Sequence, residues 1–186
     1  MEKSQNQKSN AEHFTAERPL MTGIFTDRES TERAYNELLQ RGYTKDEINL
    51  IMSDETRKKY YPGESKEKDK ATKTAEGAGA GTAIGGTVGA IAGIVAALGT
   101  SFIIPGLGIL IAGPIAAGLA GAGAGGIAGG IIGALVGAGI PETRAKLYEK
   151  GIKEGHVVIG VHPRNDADTE YIEKSWHTNK AQEIYK

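Results

Sequence analysis

A glycine triplet, two histidines and two aspartates are the residues whose types and spacing could do chemistry. Gly121, Gly123 and Gly126 fit GxGxxG, the turn that lays a dinucleotide's pyrophosphate against a helix N-terminus. Such a turn must follow a strand, and this one sits inside a long apolar glycine-rich run, so it reads as helix. No GxxxxGK[ST] phosphate loop is present. His156 and His162 bracket HVVIGVH and would share one strand face. Six residues at about 3.3 Å each place them roughly 20 Å apart, too far for one metal. Asp166 and Asp168, with Asn165, read as helix caps. Ser30, Ser53, Ser101 and Ser175 stand in no nucleophile-elbow or partner motif. The chain has no cysteine, which removes thiolate ligands, disulfides and cysteine nucleophiles. The expectation is a non-enzymatic chain with no catalytic residues, cofactor or metal. A formal net charge of −1 gives no field to draw nucleic acid.

The elements around these residues fall into two charged flanks and an uncharged middle. Residues 1–18 are polar, lack the apolar core of a signal peptide and read as a disordered tail. In RPLMTGIFTD both alternating faces carry apolar groups, as in a strand covered on both sides. Thr26 and Asp27 are N-cap candidates for the helix RESTERAYNELLQR, whose stripe is Ala34, Tyr35, Leu38 and Leu39. Gly42 closes it. DEINLIMSD is a second strand, with Ile48, Leu50 and Met52 on one face. After Pro141 come a short helix closed by Gly155, the strand HVVIGVH with Val157, Ile159 and Val161 on one face, and a capped helix bearing Tyr171, Ile172 and Trp176. AQEIYK reads as a short final edge strand. The fold class expected is α+β, a ferredoxin-like split β-α-β / α-β-α-(β) domain. Its halves are residues 19–56 and 141–186, each too small to hold a core alone. Residues 57–76 read as a charged linker, with Tyr60 and Tyr61 on a headgroup layer, at the surface or packed in a loop.

No charged residue occurs from Gly77 to Ile140, 64 positions that hold 21 of the 27 glycines. Gly77, Gly81, Gly85, Gly89 and Gly93 recur every fourth residue, and so do Gly121, Gly125, Gly129, Gly133 and Gly137. In water each interior glycine costs a helix about 1 kcal/mol relative to alanine. In lipid the backbone is forced into helix, and a glycine face lets two helices approach closely. The pattern predicts a two-helix glycine-zipper transmembrane hairpin, with spans at about 77–100 and 115–140. Its turn would hold Pro105, Gly106, Gly108, Gly113 and Pro114. Lysines and arginines on both flanks and none in the turn put both termini on the cytoplasmic side of the membrane. The expected partners are the lipid bilayer and further copies of the chain. An oligomeric pore and a self-associating regulatory or ligand-binding module that needs no membrane are the alternatives. Only Thr82, Thr87, Thr100 and Ser101 carry polar side chains in the run, too few to mark a conduction path.

The segment TGIFTDRESTERAYNELLQRGYTKDEINLIMSDET resembles the N-terminal region of bacterial general-stress proteins with a heat-induced-stress (YflT-type) domain. IPGLGILIAGP and GALVGAGIPETRAKLYEKGIKEGHVVIGV resemble the glycine-zipper hairpin and return segment of related membrane proteins. Together they span roughly residues 20–162. The resemblance implies a bacterial, stress-associated protein, which makes the expected membrane the bacterial inner membrane, and carries over no catalytic residues.

Overall fold

The computed structural model describes residues 19–61, 94, 102–104, 106–117, 130–137 and 139–186. The strands are β1 (Met21–Phe25), β2 (Ile48–Ser53), β3 (Phe102–Ile104), β4 (Ile109–Ala112), β5 (Val157–Val161) and β6 (Gln182–Tyr185). The helices are α1 (Arg28–Gln40), α2 (Asp54–Tyr60), α3 (Gly130–Gly137), α4 (Glu142–Lys153) and α5 (Asp166–Thr178). The chain is α+β, with one six-stranded antiparallel sheet in the order β3-β4-β2-β5-β1-β6.

The two flanks interleave in that sheet. β5 comes from the second flank and lies between β1 and β2 of the first, with Ile159 opposite Gly23 on one side and Leu50 on the other. The alternation read from the sequence sorts the strand residues onto two cores. Met21, Phe25, Ile48, Leu50, Met52, Val157, Ile159 and Val161 face the first, against Ala34, Tyr35 and Leu38 of α1 and Ile172 and Trp176 of α5. Phe25 and Trp176 meet edge to face there, ring centroids 5.8 Å apart. Leu20, Ile24, Ile51 and Val158 face the second core.

That second face shows what the described part of the uncharged middle does. β1, β2 and β5 are apolar on both sides, so a single helical layer would leave one face in water. The cover is Ile115 and Ala116, then Ile131, Ala134 and Leu135 of α3, then Ala145, Tyr148 and Ile152 of α4. β4 also joins the sheet, pairing Leu50 with Ala112 and Ser53 with Ile109. Gly113 follows at φ +92, where an added Cβ would drive into the carbonyl oxygen of Ile48. Buried Asn49 accepts a hydrogen bond from the Ile115 N–H at 2.8 Å and donates to the Gly160 carbonyl at 3.3 Å. The chain leaving β4 is thus bolted to β2.

These contacts correct the expected hairpin. Its turn is a β-hairpin on the sheet, not the tip of two membrane helices. Gly106 (φ +82) and Gly108 (φ +61) turn β3 into β4. The expected span 115–140 has both ends in the second core. Between Ala117 and Gly130 only twelve positions remain. As a helix they would reach about 18 Å, against a hydrocarbon core of about 30 Å. The expected span 77–100 contributes helical Ile94, fully buried in the first core. Because β2 and β4 are adjacent strands, a single crossing between them would tear the sheet apart. Among the described residues no helix is long and apolar enough to cross a membrane.

The linker boundary moves as well. Residues 54–60 form α2, capped by Ser53, whose side chain accepts from the Thr56 N–H at 3.0 Å. Tyr61 is buried in the first core, not at the surface. At α1 the N-cap is Asp27, accepting from the Ser30 N–H at 2.8 Å.

Candidate functional site

Two features of the surface could carry a function: the outer side of α3 and a polar cluster at one end of the sheet. α3 carries the sequence GIIGALVG. Its aliphatic side, Ile131, Ala134 and Leu135, is buried in the second core. Gly133 is half-buried, Gly137 is exposed and neighbouring Val136 is 42% exposed. The helix has two faces, and its own sheet takes the bulky one. Of the fourfold glycine repeat, Gly133 and Gly137 therefore lie on the side turned away from the core. Gly77, Gly81, Gly85, Gly89, Gly93, Gly121, Gly125, Gly129 and Pro105 lie outside the described residues. Gly106 and Gly108 sit in the β3–β4 turn, Gly113 and Pro114 just after β4.

The polar cluster joins the end of α1 to the start of α5. Asn165 caps α5, accepting from the Asp168 N–H at 2.8 Å. Asp168, expected as a cap, does something else with its side chain. It accepts from the Tyr43 hydroxyl at 2.9 Å and from Arg41 Nε at 2.9 Å. Arg164 lies over the Tyr43 ring, 4.2 Å from its centroid, and donates to the Gly42 carbonyl at 2.8 Å and to Glu47 at 3.1 Å. The Arg164 N–H donates to the Tyr43 oxygen at 3.2 Å. Arg41 also lies over Tyr171, 4.7 Å from the ring centroid. Each guanidinium here already has a carboxylate partner, so the cluster is a clasp and not a vacant anion site. Burial pushes the Asp168 carboxyl upward. The hydrogen bonds from Tyr43 and Arg41 outweigh it and leave the group below its ordinary value.

A second seam joins α1 and α5. Ser175 donates to Glu37, which also accepts from Asn179 Nδ2 at 3.1 Å, and Arg33 Nε donates to Asn179 Oδ1 at 3.0 Å. None of these groups forms a nucleophile–base pair. Among the described residues no group of three or more His, Cys, Asp or Glu could hold a metal ion. His156 and His162 sit just before and just after β5, and Trp176 is buried in the first core while Tyr171 is 37% exposed.

The buried tyrosines make the fold sensitive to alkali. Burial, aided by nearby Asp46, pushes Tyr35 up to about 12. Burial and the hydrogen bond to Asp168 push Tyr43 up to about 12. Tyr61 and Tyr148 are raised too, chiefly by burial. A hydroxyl that holds its proton more tightly when folded stabilises the fold fully below the unfolded value of about 10. That contribution is lost as the pH rises through the folded value. Each tenfold difference in proton affinity between the folded and the unfolded hydroxyl is worth about 1.4 kcal/mol. The urea midpoint is expected to hold steady from neutral pH to about 10 and then fall steeply toward 12. A midpoint that stays level across that interval would show that these hydroxyls are not buried.

No family model, no curated protein and no solved structure matches this chain.

Proposed function

We propose that this chain is a non-enzymatic bacterial module, built on a ferredoxin-like core, that works by homotypic contact through its glycine faces. The observation that carries the reading is the split of α3, with its aliphatic side buried and Gly133 and Gly137 outward. An interior glycine costs a helix about 1 kcal/mol, and a close backbone-to-backbone partner is what offsets that cost. In a homotypic contact the complementary surface is the same glycine face on a second copy. The strand order β2-β5-β1-β6 supports the ferredoxin-like reading, because it places the returning third strand between the first two and the last beside the first. The hairpin β3–β4 extends that sheet beyond β2. The stress role rests on the resemblance of residues 20–162 alone.

A second reading, attachment to a bilayer, is favoured by the 64 uncharged positions flanked by lysines and arginines. In that reading the glycine-rich segments dip into the lipid from one side, since Ile94, the β3–β4 hairpin strands and the buried side of α3 stay with the sheet. A pore, which needs full crossings, is the least compatible with the β2–β4 pairing.

The test is the double change Gly133→Leu and Gly137→Leu, read by light scattering and by carbonate extraction. Homotypic contact predicts that the parent is released without detergent, runs as an oligomer, and falls at least tenfold in association constant when the two leucines are introduced. Retention in the carbonate-resistant pellet supports the bilayer instead. An unchanged oligomer in the leucine variant rules out the glycine face as the contact.

A further inference from the structure

β6 is held differently from the central strands of the sheet. β1 and β5 are buried along their whole length, whereas Gln182 and Glu183 of β6 are exposed and Ile184 and Tyr185 half-buried. Its register on β1 is broken. Thr22 faces Tyr185 and Ile24 faces Gln182, so β6 holds one more residue than β1 over that interval. Glu183, in that interval, has φ +51, and Lys180, in the turn that leads into β6, has φ +59. Both lie in the left-handed region that favours glycine and disfavours other L-residues.

Lys180 stands where α1, α4 and the chain after α3 each place a glycine. Gly42, Gly139 and Gly155 sit just past those helices at positive φ, each followed by the same pair of reverse-turn hydrogen bonds. After α5 the pair is Lys180 N–H to the His177 carbonyl and Ala181 N–H to the Trp176 carbonyl. The turn that sends β6 back along β1 is therefore the strained one of the four.

Ile184 packs β6 against the first core, and polar contacts hold the rest. Arg144 pairs with Glu183 at 2.7 Å, the Tyr148 hydroxyl donates to the Glu183 carbonyl at 3.2 Å, and Lys186 pairs with Glu173 at 2.7 Å. All of these contacts are made by one chain to itself, and a second copy of the chain carries the same set.

We infer that β6 is an exchangeable strand, and that two copies trade it across their β1 edges. Extending the turn at Lys180 relieves its left-handed conformation, while every β6 contact is rebuilt on the partner. A short strained hinge before an element that pairs along one sheet edge is a setting that invites such a swap. The exchange gives the chain a second mode of self-association that does not use the glycine face.

Two single-cysteine chains test it, because the native chain has no cysteine. Thr22→Cys and Tyr185→Cys copies are mixed at high concentration and oxidised. Thr22 is 1% exposed beneath the β6 edge, so a disulfide between unlike copies forms only where strands have been traded. The mixed disulfide is expected to accumulate, to fall about fivefold with Lys180→Gly, which relaxes the closed turn, and to rise with Lys180→Pro, which forbids it. The Thr22→Cys, Tyr185→Cys double variant, oxidised when dilute, locks β6 onto its own sheet and should abolish exchange. No mixed disulfide in the parent background, whether or not Lys180→Pro folds, overturns the inference. An oligomer that persists in the locked chain, with no mixed disulfide, is glycine-face association alone, so the two proposals fail separately.

Discussion

Gly113→Ala is expected to undock the β3–β4 hairpin from β2 and to cost about 3 kcal/mol or more. Two penalties add at this position. A left-handed backbone costs a residue with a Cβ about 1–2 kcal/mol. The new methyl also meets the Ile48 carbonyl, and a backbone atom has no rotamer by which to withdraw. Relief requires β4 to move away from β2, which breaks the pairs from Leu50–Ala112 to Ser53–Ile109 and loosens the Asn49–Ile115 bond. Hydrogen exchange should quicken on the β2 edge that faces β4 while the β1–β5 ladder keeps its protection. A glycine in the tip of a membrane hairpin would respond differently, since its replacement would leave the sheet's stability untouched. An unchanged urea midpoint together with unchanged β2 exchange would return these residues to a turn remote from the sheet.

That contrast locates what was legible in the sequence. The flank strands were readable because their alternation carries face information: Ile48, Leu50 and Met52 on one side, Ile51 on the other. The helix ends were readable because Gly42 and Gly155 supply the left-handed residue a reverse turn needs. β3 and β4 were hidden because FII and ILIA are as apolar as lipid-facing sequence, and the absence of charge around them spoke louder than their shape. A signal was there. Two runs rich in β-branched isoleucine, separated by Pro-Gly-Leu-Gly, have the spacing of a short hairpin. The same absence of charge concealed the role of α3, since covering the second face of a two-sided sheet and entering a bilayer demand the same aliphatic residues. α2 was hidden for the opposite reason: DETRKKY is charged enough to pass for a linker, and its Ser53 cap marks it as a helix. The clasp could not be read at all. Tyr43 and Asp168 are 125 positions apart, and nothing in local spacing pairs them.

Ile159→Asp should unfold both flanks in a single step, the largest effect expected of any one substitution here. Ile159 is fully buried, in the central strand, with Gly23 across one ladder and Leu50 across the other. A carboxylate at that point has no partner, and an unpaired buried charge costs more than about 4 kcal/mol, a large share of a stability of about 5–15 kcal/mol. Ile159→Val removes one methylene and should cost only about 0.5–1.5 kcal/mol, keeping the fold. The measurement is limited proteolysis followed site by site, at Arg33 within α1 of the first flank and Lys174 within α5 of the second. With Val at 159 both sites stay protected. With Asp they open at the same rate, because β1 and β2 are not neighbours in the sheet and each takes its ladder partner from β5. Resistance that survives at Arg33 while Lys174 is cut would mean that residues 19–61 form a core of their own. The sheet would then be an assembly of two folding units, and the uncharged middle a link between them instead of the cover they share.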